Sequence, residues 1–217
     1  IKADDDARSL MLDVLIALVP ALAVAVYTFG ARALIHVVIA MVASLVFETI
    51  YNKIVHHPNT VGDLSCLVTG VLIAFNIPVA APLWLSAFGA LFGIIVVKML
   101  FGGIGKNFMN PALGGRCFLL IAFAADMTNF NVTRNGVDVY SGATPLAQMR
   151  NGEAVNTMSM LIGKTAGTIG ETSAIAILIG AIFLILMGVI DLRIPASYII
   201  TFVVFILLFG GHGFDMN

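Results

Sequence analysis

Residues 11–29 read MLDVLIALVPALAVAVYTF, a run interrupted by one charged side chain, Asp13. A bilayer's hydrocarbon core is about 30 Å thick, and roughly 20 apolar residues in a helix cross it. This stretch is therefore long enough to span a membrane. Moving outward, comparable runs occupy 33–51, 64–77, 83–101, 111–124, 173–190 and 195–209. Composition points the same way. Of 217 residues, 60% are hydrophobic and 11% charged, and mean hydropathy is +1.04. Soluble chains carry about 25% charged and 45–50% apolar residues. The excess apolar surface must face lipid. The predicted fold is an all-α polytopic membrane protein with about seven transmembrane helices, in one membrane domain over 1–217. A net charge of −1 offers no basis for binding nucleic acid.

The third and fifth runs are short. Backbone in lipid must be hydrogen-bonded internally, so a short helix is tolerated only where protein or a polar cavity covers its end. Asn76-Ile77-Pro78 and Asn110-Pro111 mark such ends. Interrupted helices of this kind often frame ligand or ion sites; alternatively, each proline simply starts the next helix. Lys2, Arg8, Lys53, Lys98, Lys106, Arg116 and Arg193 fall on one side if the N-terminus is cytoplasmic, and Arg32 alone falls on a short loop opposite. The positive-inside rule then puts the long polar loop 125–172 on the extracytoplasmic side.

The first residues are acidic and polar, unlike a cleavable signal peptide. Ile1 and the stop at Asn217 just after an apolar run predict a fragment, with further helices to follow. Cys66 and Cys117 are too few for a four-thiolate cluster and read as buried free thiols. His36, His56 and His57 show no metal-ligand spacing with carboxylates. FGGIG at 101–105 is echoed by FGGHG at 209–213, a glycine punctuation common after helices.

The chemistry-bearing stretch lies in the long loop: Asp138-Val139-Tyr140-Ser141-Gly142-Ala143-Thr144-Pro145-Leu146-Ala147. Gly142 and Ala143 remove side-chain bulk, so a large planar group can approach the backbone. Pro145 pushes Thr144 into an extended conformation, which projects its hydroxyl. On physical grounds alone this is either a site or an ordinary polar turn.

The pattern Asp138-x-x-Ser141-Gly142-Ala143-Thr144-x-Leu146-Ala147 resembles the motif on which flavin transferases attach FMN to threonine through a phosphoester. MLDVLIALVP at 11–20 and GGIGKNFMNPA at 102–112 match the same family. By these motifs the chain resembles the RnfD/NqrB family, which unites the D component of the Rnf complex with the B component of the sodium-pumping NADH:quinone oxidoreductase. The short segment before the first helix and the compact outer loop favour the Rnf branch. The resemblance implies ten helices in two inverted halves in a bacterial inner membrane. It further implies covalent FMN on Thr144, with Asp138, Ser141, Gly142, Ala143 and Pro145 around the attachment point. Thr144 would be a modification and redox-carrier site; no residue turns over as a catalyst.

A second, non-covalent riboflavin is also implied. Asn107 and Asn110, three apart, are its candidates by presenting both amides on one face of a helix start. Asn110 reads equally well as a cap before Pro111, and the N-P-A triplet weakly resembles a water-channel motif. Intramembrane ionisable groups are costly. Glu48 is the candidate for an ion path, while Asp13 and Asp63 suit boundary positions. The implied role is a subunit of an ion-translocating oxidoreductase, relaying electrons between ferredoxin and NAD with Na⁺ or H⁺ movement. Its partners would be the other subunits and the transferase. The chain carries no nucleotide-binding fingerprint of its own. An NqrB-type component of a quinone reductase, a non-redox transporter or channel, and a membrane anchor are the alternatives.

Overall fold

A computed structural model describes residues 6–209 except 57, 59, 135–136, 141–143, 153–154, 164 and 172, and the backbone alone of 132–134 and 137–140. Two helices are long and apolar enough to cross a membrane: α1 (Ala7–Phe29) and α2 (Ala31–Val55). One residue, Gly30, joins them. It sits at φ 79°, where a side chain is strained, and its N–H closes α1 on the Val26 carbonyl. Five shorter apolar helices follow: α3 (Ser65–Phe75), α4 (Trp84–Leu91, continuing as a π-helix over Phe92–Met99), α5 (Pro111–Ala122), α9 (Ala174–Leu186) and α10 (Arg193–Phe209). The predicted runs match these seven helices closely. At 11 residues, α3 is about 16 Å long, half the hydrocarbon thickness.

The helices pack through small residues. Ala17, Ala21 and Ala25 of α1, Ala33 and Ala40 of α2, Ala74 of α3 and Ala176 of α9 are buried. Gly70 of α3 approaches the Ala40 carbonyl of α2, and Gly115 of α5 approaches the Gly89 carbonyl of α4; an added Cβ would sit 2.8 Å from either oxygen. Small side chains let helix backbones touch where lipid offers no hydrophobic drive to association. The outward faces are apolar. Leu34, Val38 and Val42 of α2 and Phe202, Phe205 and Leu208 of α10 are exposed. The chain is a mostly helical protein of membrane type.

Gly180 of α9 packs directly on the Ala17 carbonyl of α1, leaving no room for a Cβ. Gly180→Ala is therefore expected to prise α9 from α1 and cost about 1–3 kcal/mol. Ile179→Ala, on the exposed face of α9, should cost less. Thermal unfolding of the purified protein in detergent measures both; equal midpoints would refute the close packing.

The end of α3 is closed by pairing between irregular segments. The N–H of Gly170 donates to the Phe75 carbonyl at the end of α3 (2.9 Å), and the N–H of Ile169 donates to the Ile77 carbonyl (3.1 Å). Pro78 and Thr168 form an antiparallel bridge. Pro78 does not begin a helix, because α4 starts at Trp84. Pro111 does, as first residue of α5. The same proline chemistry thus ends in two different outcomes.

The loop 125–172 holds α6 (Ala124–Met127) at its start, an antiparallel hairpin of β1 (Val132–Arg134) and β2 (Val137–Tyr140), α7 (Pro145–Arg150) and α8 (Thr157–Ile162). The hairpin departs from an all-helical expectation. Its residues are β-branched and polar, between turn-forming neighbours.

Candidate functional sites

Thr144 caps α7. Its backbone is extended (φ −60°, ψ 155°), as a residue before proline should be, and its Oγ1 accepts a long hydrogen bond from the Ala147 N–H (3.4 Å). Sequence reasoning projects the hydroxyl outward; it also turns back to serve the helix. Ser141, Gly142 and Ala143 lie outside the described residues, and Asp138 is described by its backbone alone. Thr144 lines two cavities, of about 580 and 570 Å³. The first joins Thr144, Pro145 and Leu146 to Phe130, Met160 and Ile177, with Arg116, Thr165 and Glu171 as its polar members.

Arg116 comes from α5. Its Nη1 donates to Asn76 Oδ1 (2.6 Å), just past α3, and to Glu171 Oε1 (3.2 Å) in the loop. Its place in the sequence puts Arg116 among the cytoplasmic charges. In the structure, six residues into α5, it reaches the segment that closes α3 and the end of the loop rather than standing in a loop of its own. A correction concerns Lys98, a loop charge by sequence but only 2% exposed.

Lys98 belongs to a second site. On the π-helical part of α4, its Nζ donates to Glu48 Oε2 (2.6 Å) and Ser65 Oγ (2.6 Å). Glu48, on α2, is fully buried, and its Oε1 accepts from the Thr60 hydroxyl (2.7 Å). Ser65 in turn donates to Asp63 Oδ1 (2.6 Å), which also caps the Ser65 N–H (2.8 Å). Both carboxylate oxygens of Glu48 are thus satisfied, the condition under which a buried ion pair is tolerable. Asp63 accepts from the first N–H of α3, that of Ser65, and is partly exposed. His36 is buried, with Nδ1 2.7 Å from Ser86 Oγ; His56 ends α2 at φ 55°. His57 lies outside the described residues.

Asn107 and Asn110 line a smaller cavity of about 190 Å³ with Lys98, Ser65 and Thr69. They do not share a helix face. Gly102, Gly103 and Gly105 all take positive φ, so the chain coils until Pro111 and leaves Asn107 outside α5. Asn110 Oδ1 accepts from the N–H groups of Ala112 (2.9 Å) and Leu113 (3.3 Å), and Asn107 Nδ2 donates to the Met109 carbonyl (2.9 Å). Capping therefore occupies one end of the Asn110 amide. Both cysteines are free thiols; Cys66 is buried as expected, whereas Cys117 is exposed, which corrects the expectation of two buried thiols.

The sequence profile of the NQR2, RnfD, RnfE family matches residues 1–217. The chain belongs to this family. Among its relatives, the D component of the Na⁺-translocating ferredoxin:NAD⁺ oxidoreductase complex of Acetobacterium woodii is 44% identical over 215 residues, covering 97% of this chain and 67% of that protein. The D component of the proton-translocating ferredoxin:NAD⁺ oxidoreductase complex of Clostridium ljungdahlii is 31% identical over 223 residues, with the same coverage. The B component of the Na⁺-translocating NADH-quinone reductase of Neisseria meningitidis is 42% identical over 161 residues, covering 69% of this chain and 39% of its own length. The chain is an RnfD homologue within the NQR2, RnfD, RnfE family. It spans about two thirds of the two ferredoxin:NAD⁺ relatives and well under half of the quinone-reductase relative.

The two cavities differ in their fit to a flavin. The Thr144 cavity, about 580 Å³ with aromatic and thioether walls and a few polar groups, lies within the ~300–1,000 Å³ usual for small-molecule sites. It is large enough to take an isoalloxazine ring. The cavity at Asn107 and Asn110, about 190 Å³, falls below that range, so these residues do not enclose a riboflavin on their own.

Proposed function

We propose that this chain is the membrane subunit of an ion-translocating ferredoxin:NAD oxidoreductase that carries FMN covalently on Thr144. The observation that carries the reading is the coincidence of the threonine motif with a flavin-sized cavity walled by the same threonine. The tethered flavin supplies the one- and two-electron chemistry. Thr144 fixes where the flavin sits, Phe130, Met160 and Ile177 present apolar surface to its ring, Ala143 and Pro145 flank the attachment point in sequence, and Asp138, Ser141 and Gly142 are the residues a flavin transferase reads.

In this reading all seven apolar helices span or enter the bilayer, with α3 ending against the paired segments at 75–78 and 168–170. With Arg116 and Lys98 removed from the count, Arg8, Lys53, Lys106 and Arg193 still oppose Arg32 alone. The N-terminus is thus cytoplasmic, and the flavin loop faces outward across a bacterial inner membrane. The chain forms one membrane domain, with 125–172 as its flavin-bearing loop, and its electron donors and acceptors lie on partner subunits. Glu48 contributes the buried carboxylate of an ion path. Lys98 already fills the cation position there, so an arriving Na⁺ or H⁺ must exchange with the ammonium. Asn107 Oδ1 and Asn110 Nδ2 contact a riboflavin whose site a neighbouring protein of the complex completes.

In-gel flavin fluorescence of the denatured chain tests the proposal. Wild type is expected to fluoresce, Thr144→Ala to be dark, and Thr165→Ala, in the same cavity, to fluoresce normally. A dark wild type from a host containing the transferase would instead favour a transporter-like or anchoring role.

A further inference from the structure

Arg116 is the one cation lining the larger Thr144 cavity among the described residues. It is not a surface charge free to move. One nitrogen, Nη1, is held by Asn76 Oδ1 at 2.6 Å and by Glu171 Oε1 at 3.2 Å, which ties α5, the end of α3 and the loop together. Nε and Nη2 make no hydrogen bond among the described residues. A guanidinium has five N–H donors in a rigid fork. Anchored through one nitrogen among the described residues, this one holds its charge toward whatever occupies the cavity it lines. The anchoring carboxylate, Glu171, lines the same cavity and offsets part of the charge.

Resting on the reading of Thr144 as the flavin-bearing residue, we propose that Arg116 sets the reduction potential of that flavin, with Glu171 acting in opposition. Reduction adds negative charge to the ring. A fixed cation in the same cavity stabilises the reduced form over the oxidised one and raises the potential; a fixed carboxylate lowers it. Arg116 therefore acts by position and charge, without entering a bond. Its side chain is 31% exposed and that of Glu171 55%, so water and salt screen both and the effect is moderate.

The test is a spectroelectrochemical titration of the purified complex, in which the Thr144-linked signal is the difference between wild type and Thr144→Ala. Arg116→Gln is expected to lower the reduced-to-oxidised ratio at a fixed potential about tenfold. Arg116→Lys should stay near wild type, and Glu171→Gln should shift the ratio the other way. A purely packing role predicts no such opposed pair. An unchanged potential in Arg116→Gln with in-gel fluorescence intact would overturn the proposal and leave the Thr144 attachment standing. Shifts of one sign in Arg116→Gln and Glu171→Gln would overturn it equally. Should Arg116→Gln fail to assemble, Glu171→Gln decides: no rise in the reduced fraction overturns the proposal. A wild-type chain without fluorescence after denaturation would overturn both readings together.

Discussion

Lys98→Met is expected to lower the unfolding free energy of the chain by about 3–5 kcal/mol. The cause is the partner it leaves behind. Glu48 is fully buried, and its Oε2 has Lys98 Nζ at 2.6 Å. Without the ammonium, that oxygen is a charge in an apolar interior, with the Thr60 hydroxyl, among the described residues, on its other oxygen. The carboxylate must then take up a proton, draw in water or expel α4. The double variant Glu48→Gln with Lys98→Met removes both charges together. It should recover most of the loss, since neutral replacement of a buried pair is often harmless. Thermal unfolding in detergent, run as a double-mutant cycle, reads the coupling. Equal midpoints for the single and double variants would mean that the pair contributes nothing specific.

Thr144→Ala is the second large effect, and it falls on function rather than stability. Among the described residues, the structural bond it loses is the 3.4 Å cap on Ala147 N–H. Capping losses run from about 0.5 to 2 kcal/mol, and so long a bond belongs at the low end. The variant should therefore fold, insert and assemble. It should nonetheless abolish electron transfer between ferredoxin and NAD by the complex, because a carrier that cannot be attached cannot be held in the chain of centres. Size-exclusion profiles and turnover of the variant complex measure the two halves. Turnover at the wild-type rate in an assembled complex would show that electrons do not pass through Thr144.

Much of this architecture is legible from apolar length alone. The run 83–101 becomes Trp84–Met99 and 33–51 becomes Ala31–Val55, because a long apolar stretch kept from water must bond its own backbone, as a helix does. The ends of α3 and α5 are legible too, from Asn76-Ile77-Pro78 and Asn110-Pro111. Long-range pairing is not. Glu48 and Lys98 lie 50 positions apart, and neither periodicity nor composition brings them together. A signal is present, however: a lysine inside the apolar run GIIVVKMLF requires a buried partner as surely as Glu48 does. Arg116 carries the same signal within PALGGRCFLLIA. Counting both as loop charges hides it. Spacing sets Asn107 on a helix face, whereas three positive-φ glycines keep it off the helix. The π-helical winding that presents Lys98 has no mark in the pattern, since its apolar spacing reads as ordinary helix.

Covalent attachment of the flavin is decided by the intact mass of the chain, purified from membranes of a host that contains the flavin transferase. The expected mass is that of the polypeptide plus one FMN less one water, with fragmentation placing the adduct on Thr144. An unmodified mass, or an adduct on any other residue, would contradict the assignment of Thr144 as the flavin-bearing residue.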